Sequence, residues 1–311
     1  MAHILDGNSV RDQIKAECRP RAERVRSHAR RPPGLAVVLV GSNAASQVYV
    51  RNKTKTAGEL GIYNETITPD PSITTDELLQ LVRVLNLRDE IDGILVQLPL
   101  PAHIDSQKIL LAVAPEKDVD GFHPYNMGLL ATGRAGLRPC TPAGVIEILK
   151  RNNVAMAGKS AVVIGRSTIV GKPMALLLLE ENATVTVAHS KTPNLAAVCK
   201  NADILVAAIG RPAMVTAEFI REGAVVVDVG INSVTERAEA ERIFGPDNMA
   251  TFEKRGSQLV GDVNPRDMAR LASAYTPVPG GVGPLTIALL MRNTIEAAER
   301  RTDLWRSTGL C

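Results

Sequence analysis

Tyr49 and Lys53 stand four residues apart in the stretch Ser46-Gln47-Val48-Tyr49-Val50-Arg51-Asn52-Lys53-Thr54-Lys55, so a helix there puts a phenol and an amine on one face. A lysine on a helix is ordinarily a solvated point charge. It becomes a proton carrier only where its surroundings let it spend part of its time neutral. Gln97 closes the apolar run Gly93-Ile94-Leu95-Val96, and Leu98-Pro99-Leu100-Pro101 forbids further ladder pairing beyond it. Its amide must then satisfy either the loop backbone or a site. Asp120 sits in Pro115-Glu116-Lys117-Asp118-Val119-Asp120-Gly121-Phe122-His123-Pro124, dense in charge and turn formers. A single carboxylate there can be solvated or cap a helix; several such groups at one cleft point to a site.

A second group of residues suits an anion. An apolar strand over 160–164 runs into Gly165-Arg166-Ser167-Thr168-Ile169-Val170-Gly171-Lys172-Pro173 and then a helix over 174–182. Strand, glycine-containing loop and helix N-terminus make a phosphate cradle of free N–H groups. The spacing departs from G-x-G-x-x-G, since Ser167 and Val170 replace two glycines. Dinucleotide units that take NAD usually carry an acid at the tip of the second strand. Here the tip reads His189-Ser190-Lys191-Thr192, without an acid, while Arg166 and Ser190 offer donors to a 2′-phosphate. NADP is therefore expected over NAD. The turn Thr276-Pro277-Val278-Pro279-Gly280-Gly281-Val282-Gly283-Pro284 permits close backbone approach to a ligand.

The elements that must position these groups follow from periodicity. A helix is expected over 8–27, kinked or divided by Pro20. A strand over 35–40, the Tyr49/Lys53 helix to near Gly61, a strand over 63–69, a helix over 74–86 and a strand over 93–98 make a parallel-sheet rhythm. In such sheets ligands lie outside the carboxyl ends of the strands, where both Gln97 and the Tyr49/Lys53 turn fall. Arg138-Pro139-Cys140-Thr141-Pro142 reads as a hinge, with Thr141 capping a helix that runs to about Asn152. Strands over 160–164, 184–188, 204–208 and 224–229 then form a doubly wound dinucleotide-binding unit. Residues 234–257 read as a charged surface insertion, and 285–300 as an amphipathic helix returning to the first domain, with a frayed tail after it.

Composition agrees with an α/β protein. At 311 residues and 45% hydrophobic the chain can bury two cores, and with 3% aromatics those cores must be Leu, Val, Ile and Ala, as in helix-covered parallel sheets. The net charge of +3 is small. The early arginines Arg19, Arg21, Arg24, Arg26, Arg30 and Arg31 are interleaved with Glu17 and Glu23 and lack aromatics, which fits a solvated helix face better than a nucleic-acid site. Cys18, Cys140, Cys199 and Cys311 show no metal or disulfide spacing, so reduced thiols and a cytoplasmic location are expected. No apolar run is long enough to cross a bilayer, and no export signal is evident.

Taken together, Tyr49-Val50-x-x-Lys53-x-Lys55, Gly93-Ile94-Leu95-Val96-Gln97-Leu98-Pro99-Leu100-Pro101, Lys117-Asp118-Val119-Asp120-Gly121-Phe122, the Arg138 hinge, Gly165-Arg166-Ser167-x-x-Val170-Gly171-x-Pro173 and the Thr276–Pro284 turn resemble the bifunctional methylenetetrahydrofolate dehydrogenase/methenyltetrahydrofolate cyclohydrolase family, FolD. The resemblance covers nearly the whole chain. It implies a catalytic, folate-binding α/β domain (1–141 with 284–311), a Rossmann-like doubly wound NADP-binding domain (142–283), a cleft between them and a homodimer. It further implies Lys53 as the cyclohydrolase acid/base, Gln97 positioning and tuning it, Tyr49 along the aminobenzoate and Asp120 on the paired N–H donors of the pterin. On the cofactor side it implies Gly165, Arg166 and Ser167 at the phosphates and adenosine, Ser190 at the 2′-phosphate and Ile231 meeting the nicotinamide half through its backbone. Gly280 and Gly281 would border the folate. Lys55 lies on another helix face, for support or substrate charge. The segment 234–257 is longer than the family's usual connection, which bears on the shape of the cofactor side near Ile231 and on dimer contacts there, and it touches none of the catalytic positions.

Overall fold

The computed structural model describes residues 2–302 and Leu304. The first half gives β1 (His3–Ile4), α1 (Gly7–Ala29), β2 (Gly34–Val38), α2 (Ala44–Glu59), β3 (Tyr63–Ile67), α3 (Thr75–Leu87), β4 (Gly93–Val96), α4 (Ser106–Ala112) and α5 (Pro124–Ala131). The second gives α6 (Cys140–Arg151), β5 (Ser160–Ile164), α7 (Gly171–Glu180), β6 (Thr184–Ala188), α8 (Leu195–Cys199), β7 (Ile204–Ala207), β8 (Val225–Asp228), β9 (Asn232–Val234), α9 (Arg237–Phe244), α10 (Ala250–Arg255), β10 (Gln258–Val260), α11 (Pro265–Leu271), β11 (Ala274–Tyr275) and α12 (Gly283–Arg301). The chain divides into two compact units, one of residues 12–140 with the chain from Ile287 on, the other of 141–286 with the residues up to Arg11.

The first unit holds a three-stranded parallel sheet in the order β3-β2-β4. Central β2 is buried throughout, which is why Gly34-Leu35-Ala36-Val37-Val38 carries no polar side chain, whereas edge strand β3 has no fully buried residue and exposes Tyr63 and Thr66. Val38, Val96, Leu78, Val82, Leu85 and Ile109 share one core cluster. Each such side chain contributes roughly 1.5–3 kcal/mol on burial. Helix α3 starts at a capping box in which Thr74 and Glu77 satisfy each other's backbone N–H. Buried Asp92 joins distant segments: it accepts from Arg31 at 2.7 and 2.8 Å, from Arg301 at 2.8 Å and from the Gly34 N–H at 2.9 Å. Arg21 of α1 pairs with Glu299 of α12 at 2.6 Å.

Of the two outcomes expected at Pro20, division does not occur: helix α1 runs unbroken from Gly7 to Ala29. Its buried residues Val10, Ile14, Cys18, Ala22 and Val25 keep helical spacing, and both Pro20 and Ala16 lie on the exposed side. Water can therefore satisfy the carbonyl that proline leaves without a donor.

The second unit holds six parallel strands in the order β1-β11-β8-β7-β5-β6. From β5 the chain crosses to β6 on one side and then back to β7 on the other, so the topological switch point lies between β5 and β7. The first eleven residues, expected with the first domain, group with this unit because His3 and Ile4 pair with Ala274 and Tyr275. Residues 234–257 are more than a surface insertion. Strands β9 and β10 close the segment as an antiparallel ladder, and Val234, Ala240, Ile243, Phe244, Met249, Phe252 and Val260 form a separate buried cluster with Ala213. Cys18, Cys140 and Cys199 are buried free thiols. Cys311 and most of the tail expected to fray lie outside the described residues. Among the described residues no helix is long and apolar enough to cross a membrane.

Candidate active site

In the first unit the site is built on α2. Asn43 caps the helix by accepting from the Ser46 N–H at 3.0 Å. Ser46, Val50, Lys53 and Ala57 then form its buried stripe. Lys53 thus occupies a core position, 8% exposed, and needs a partner there. Its Nζ donates to Gln97 Oε1 at 2.9 Å. Gln97 is fixed in turn: its backbone N–H extends the ladder to the Val38 carbonyl at 2.9 Å and its Nε2 donates to the Leu98 carbonyl at 2.7 Å. The amide therefore does both things considered from sequence, satisfying the loop with its nitrogen and presenting its oxygen to the lysine. Tyr49, one turn earlier on α2, is 41% exposed.

The charged stretch before α5 separates into two kinds of residue. Lys117 Nζ is buried and donates to the carbonyls of Asn86 at 2.8 Å, Arg88 at 2.7 Å and Leu85 at 3.3 Å, closing the C-terminal end of α3. Asp118 accepts from the His123 N–H at 2.8 Å and Asn126 Nδ2 at 2.9 Å. Both hold the fold. Asp120 differs: among the described residues nothing donates a hydrogen bond to its carboxylate, which is half-buried and close enough to Lys53 to feel its charge. Burial pushes the Asp120 carboxyl up to about 6; Lys53 opposes that rise and Asp118 adds to it. Amine, amide and an unpaired carboxylate are thus brought together, with Tyr49 on the amine's helix. Such a set can move one proton and can grip a pair of N–H donors.

In the second unit Gly165 ends β5 at φ +123°, and a Cβ there would lie 2.2 Å from the Ala208 carbonyl oxygen beyond β7. Only glycine lets these two loops close over the switch point. Residues 166–169 follow as an exposed loop leading into ten-residue α7. Ser167 is not simply a ligand donor: its Oγ accepts from the N–H groups of Val170 at 3.1 Å and Gly171 at 3.2 Å, shaping the loop. Among the described residues the Arg166 guanidinium and the Ser190 hydroxyl have no partner within the protein, and both are exposed. Ile231 is 46% exposed. The Gly280 carbonyl accepts from the Gly7 N–H at 2.9 Å, and Gly281 is buried with its N–H on the Pro277 carbonyl at 2.8 Å. A Cβ on Gly283 would lie 3.2 Å from Ile231 Cδ1, so this turn and Ile231 adjoin. Ile231, Gly280 and Gly281 belong to the second unit, Lys53, Gln97 and Asp120 to the first.

Sequence reasoning passed over two buried carboxylates behind this crevice. Asp262 accepts from the N–H groups of Ile209 at 2.6 Å, Gly210 at 3.0 Å and Arg211 at 2.8 Å, and from Asn232 Nδ2 at 3.1 Å. Asp228 accepts from the N–H groups of Gly230, Asp262 and Val263 at 2.8–3.0 Å. Together they tie the loops after β7, β8 and β10. The signal available in sequence was an acid at the end of an apolar strand, in Val225-Val226-Val227-Asp228 and again in Leu259-Val260-Gly261-Asp262.

A doubly wound sheet with an exposed guanidinium and hydroxyl beyond its strand ends, in a chain that also carries a buried amine beside a carboxylate without a donor among the described residues, fits the class of nicotinamide-dinucleotide enzymes that also have acid–base chemistry. Residues 5–120 match the model of the tetrahydrofolate dehydrogenase/cyclohydrolase catalytic domain, and residues 139–302 that of the same family's NAD(P)-binding domain. A bifunctional protein FolD from Solibacter usitatus is 61% identical over 306 residues, covering 98% of this chain and all of that protein. The crystal structure of the Campylobacter jejuni bifunctional FolD is similar with a TM-score of 0.87 at 41% identity, covering 97% of this chain and all of that one. That of the Trypanosoma brucei dehydrogenase–cyclohydrolase complexed with NADP and an inhibitor gives 0.86 at 38%, covering 96% and 98%. The chain belongs to the tetrahydrofolate dehydrogenase/cyclohydrolase family.

Proposed function

We propose that Lys53, Gln97, Asp120 and Tyr49 form the folate site of an enzyme that oxidises 5,10-methylenetetrahydrofolate with NADP⁺ and hydrolyses the 5,10-methenyltetrahydrofolate so formed to 10-formyltetrahydrofolate. The observation that carries it is the buried Lys53–Gln97 hydrogen bond beside a carboxylate that has no partner of its own. Asp120 accepts from the paired N–H groups of the pterin, a planar match that orients the one-carbon bridge. Tyr49 packs along the aminobenzoate. NADP⁺, when bound, supplies the hydride acceptor.

In the hydrolysis, Lys53 in its neutral form takes a proton from water as the water oxygen bonds to the methenyl carbon. The Lys53 ammonium then returns that proton to N5 as the carbon–N5 bond breaks, its electron pair staying on N5, and the hydroxyl proton of the adduct leaves to solvent. Gln97 Oε1 holds the amine on line through both transfers. For the dinucleotide, Arg166 and Ser190 take the 2′-phosphate side, with exposed Lys191 as a further donor, and the 165–171 loop takes the pyrophosphate. Gly280 and Gly281 border the folate, and Ile231 meets the nicotinamide half.

The same reading includes a homodimer in the cytoplasm, where the three buried thiols stay reduced. Edge strand β6 leaves Val187 40% exposed, and Leu179 on the preceding helix α7 is 60% exposed, which gives an edge a second copy can cover. Lys53→Met tests the central assignment. It is expected to abolish methenyl hydrolysis, followed by absorbance, while folate binding persists; wild-type hydrolysis in that variant would remove Lys53 from its role.

A further inference from the structure

Among the described residues the Asp120 carboxylate accepts no hydrogen bond, yet its place in space is closely set from both sides. On the side before it, the Val119 carbonyl accepts from Asn293 Nδ2 of α12 at 2.8 Å and from the buried Cys140 Sγ at 3.3 Å. On the side after it, Gly121 sits at φ +75° against the hinge, where a Cβ would come within 2.6 Å of the Arg138 carbonyl carbon and the Pro139 nitrogen. The same Asn293 Nδ2 donates to the Arg138 carbonyl at 2.8 Å. One amide nitrogen, on a side chain only 2% exposed, therefore clamps both strips of chain that frame Asp120. Its two protons face those two carbonyls at 2.8 Å, with the Cys140 sulfur a longer contact at 3.5 Å. A buried asparagine on an otherwise apolar helix face is costly unless such bonds are made.

We infer that Asn293 is a positioning residue for the folate site: acting through the Val119 and Arg138 carbonyls, it sets where the Asp120 carboxylate stands. This rests on Asp120 being the carboxylate that grips the pterin. Removing the amide takes the donor from the Arg138 carbonyl and leaves the Val119 carbonyl only the weaker Cys140 thiol, which lets the 119–121 segment shift, and a shift of about 1 Å at an orienting group is enough to cost catalysis heavily.

The test is a double-mutant cycle in the full-length enzyme, reading KM for methylenetetrahydrofolate and KM for NADP⁺ in the dehydrogenase assay. Asn293→Ala is expected to raise the folate KM about tenfold and to leave the NADP⁺ KM within about twofold. Asn293→Asp keeps the size and loses the donor, so it is expected to behave like Asn293→Ala. In an Asp120→Asn background either change should add less than about twofold, because the group being positioned has already been disabled. A full tenfold effect in that background, or a wild-type folate KM in Asn293→Asp, would overturn the inference. Should the Asn293 variants fail to fold, Gly121→Ala displaces the same segment from the Arg138 side. It should show the same non-additivity with Asp120→Asn, and a wild-type folate KM in Gly121→Ala would count against the clamp. Asp120→Asn by itself separates the two layers: an unchanged folate KM there removes the reading of Asp120, whatever Asn293 does.

Discussion

Two buried lysines, Lys53 and Lys117, differ only in what they touch. Lys117 spends its protons on three helix-end carbonyls and has nothing left for a ligand, whereas Lys53 has one amide oxygen for a partner and keeps donor capacity. The same contrast divides Asp118, doubly bonded within the protein, from unpaired Asp120. Because burial holds the Asp120 carboxyl at about 6, it is ionised at neutral pH and protonates as the pH falls through that value. Folate affinity is expected to weaken below pH 6, approaching tenfold per pH unit, and Asp120→Asn should flatten that limb in a titration of the folate dissociation constant. Arg166 is the only guanidinium in the phosphate loop. Arg166→Ala should weaken NADP by about tenfold or more and NAD by much less, and equal weakening in a binding titration would contradict the 2′-phosphate assignment.

At the scale of elements, Tyr49 and Lys53 lie within α2, and other groups stand where a strand ends. Gln97 follows β4, Gly165 follows β5, Ser190 follows β6 and Asp228 closes β8, while α2 and α3 are started by side-chain caps. The end of α3 depends on Lys117, whose pKa burial depresses to about 8, with Arg301 adding to the effect. A base with a folded pKa below its unfolded value of 10.5 makes the unfolded chain the better proton binder between the two, so this group's contribution to stability rises with pH across about 8 to 10.5. Lys117→Met should therefore remove that rise, seen by comparing denaturant midpoints of variant and wild type at pH 7.5 and pH 9.5 on the order-of-magnitude scale of that shift.

At the scale of the whole molecule, pairs far apart in sequence decide how the units are made. His3 and Ile4 complete the edge of the six-stranded sheet beside β11, Asp92 binds both Arg31 and Arg301, and Asp262 fastens the 209–211 loop to its own. Asp262→Ala strands three backbone N–H groups at once. It should raise the KM for NADP⁺ on the order of tenfold while the folate dissociation constant stays within about twofold, since Tyr49, Lys53, Gln97 and Asp120 belong to the other unit. The alternation of strand and helix, the helix that carries Tyr49 and Lys53, the strand–loop–helix around Gly165 and the missing acid at the β6 tip were all readable in the chain, because each is a local pattern of side chains along one element or turn. Partnership was not readable: nothing in Lys117-Asp118-Val119-Asp120 says which two residues are consumed by the fold, or that Pro20 faces water, or that residues up to Arg11 pair with the second sheet. Those outcomes depend on burial and on hydrogen-bond partners brought in from tens to hundreds of residues away, and only the folded chain supplies them.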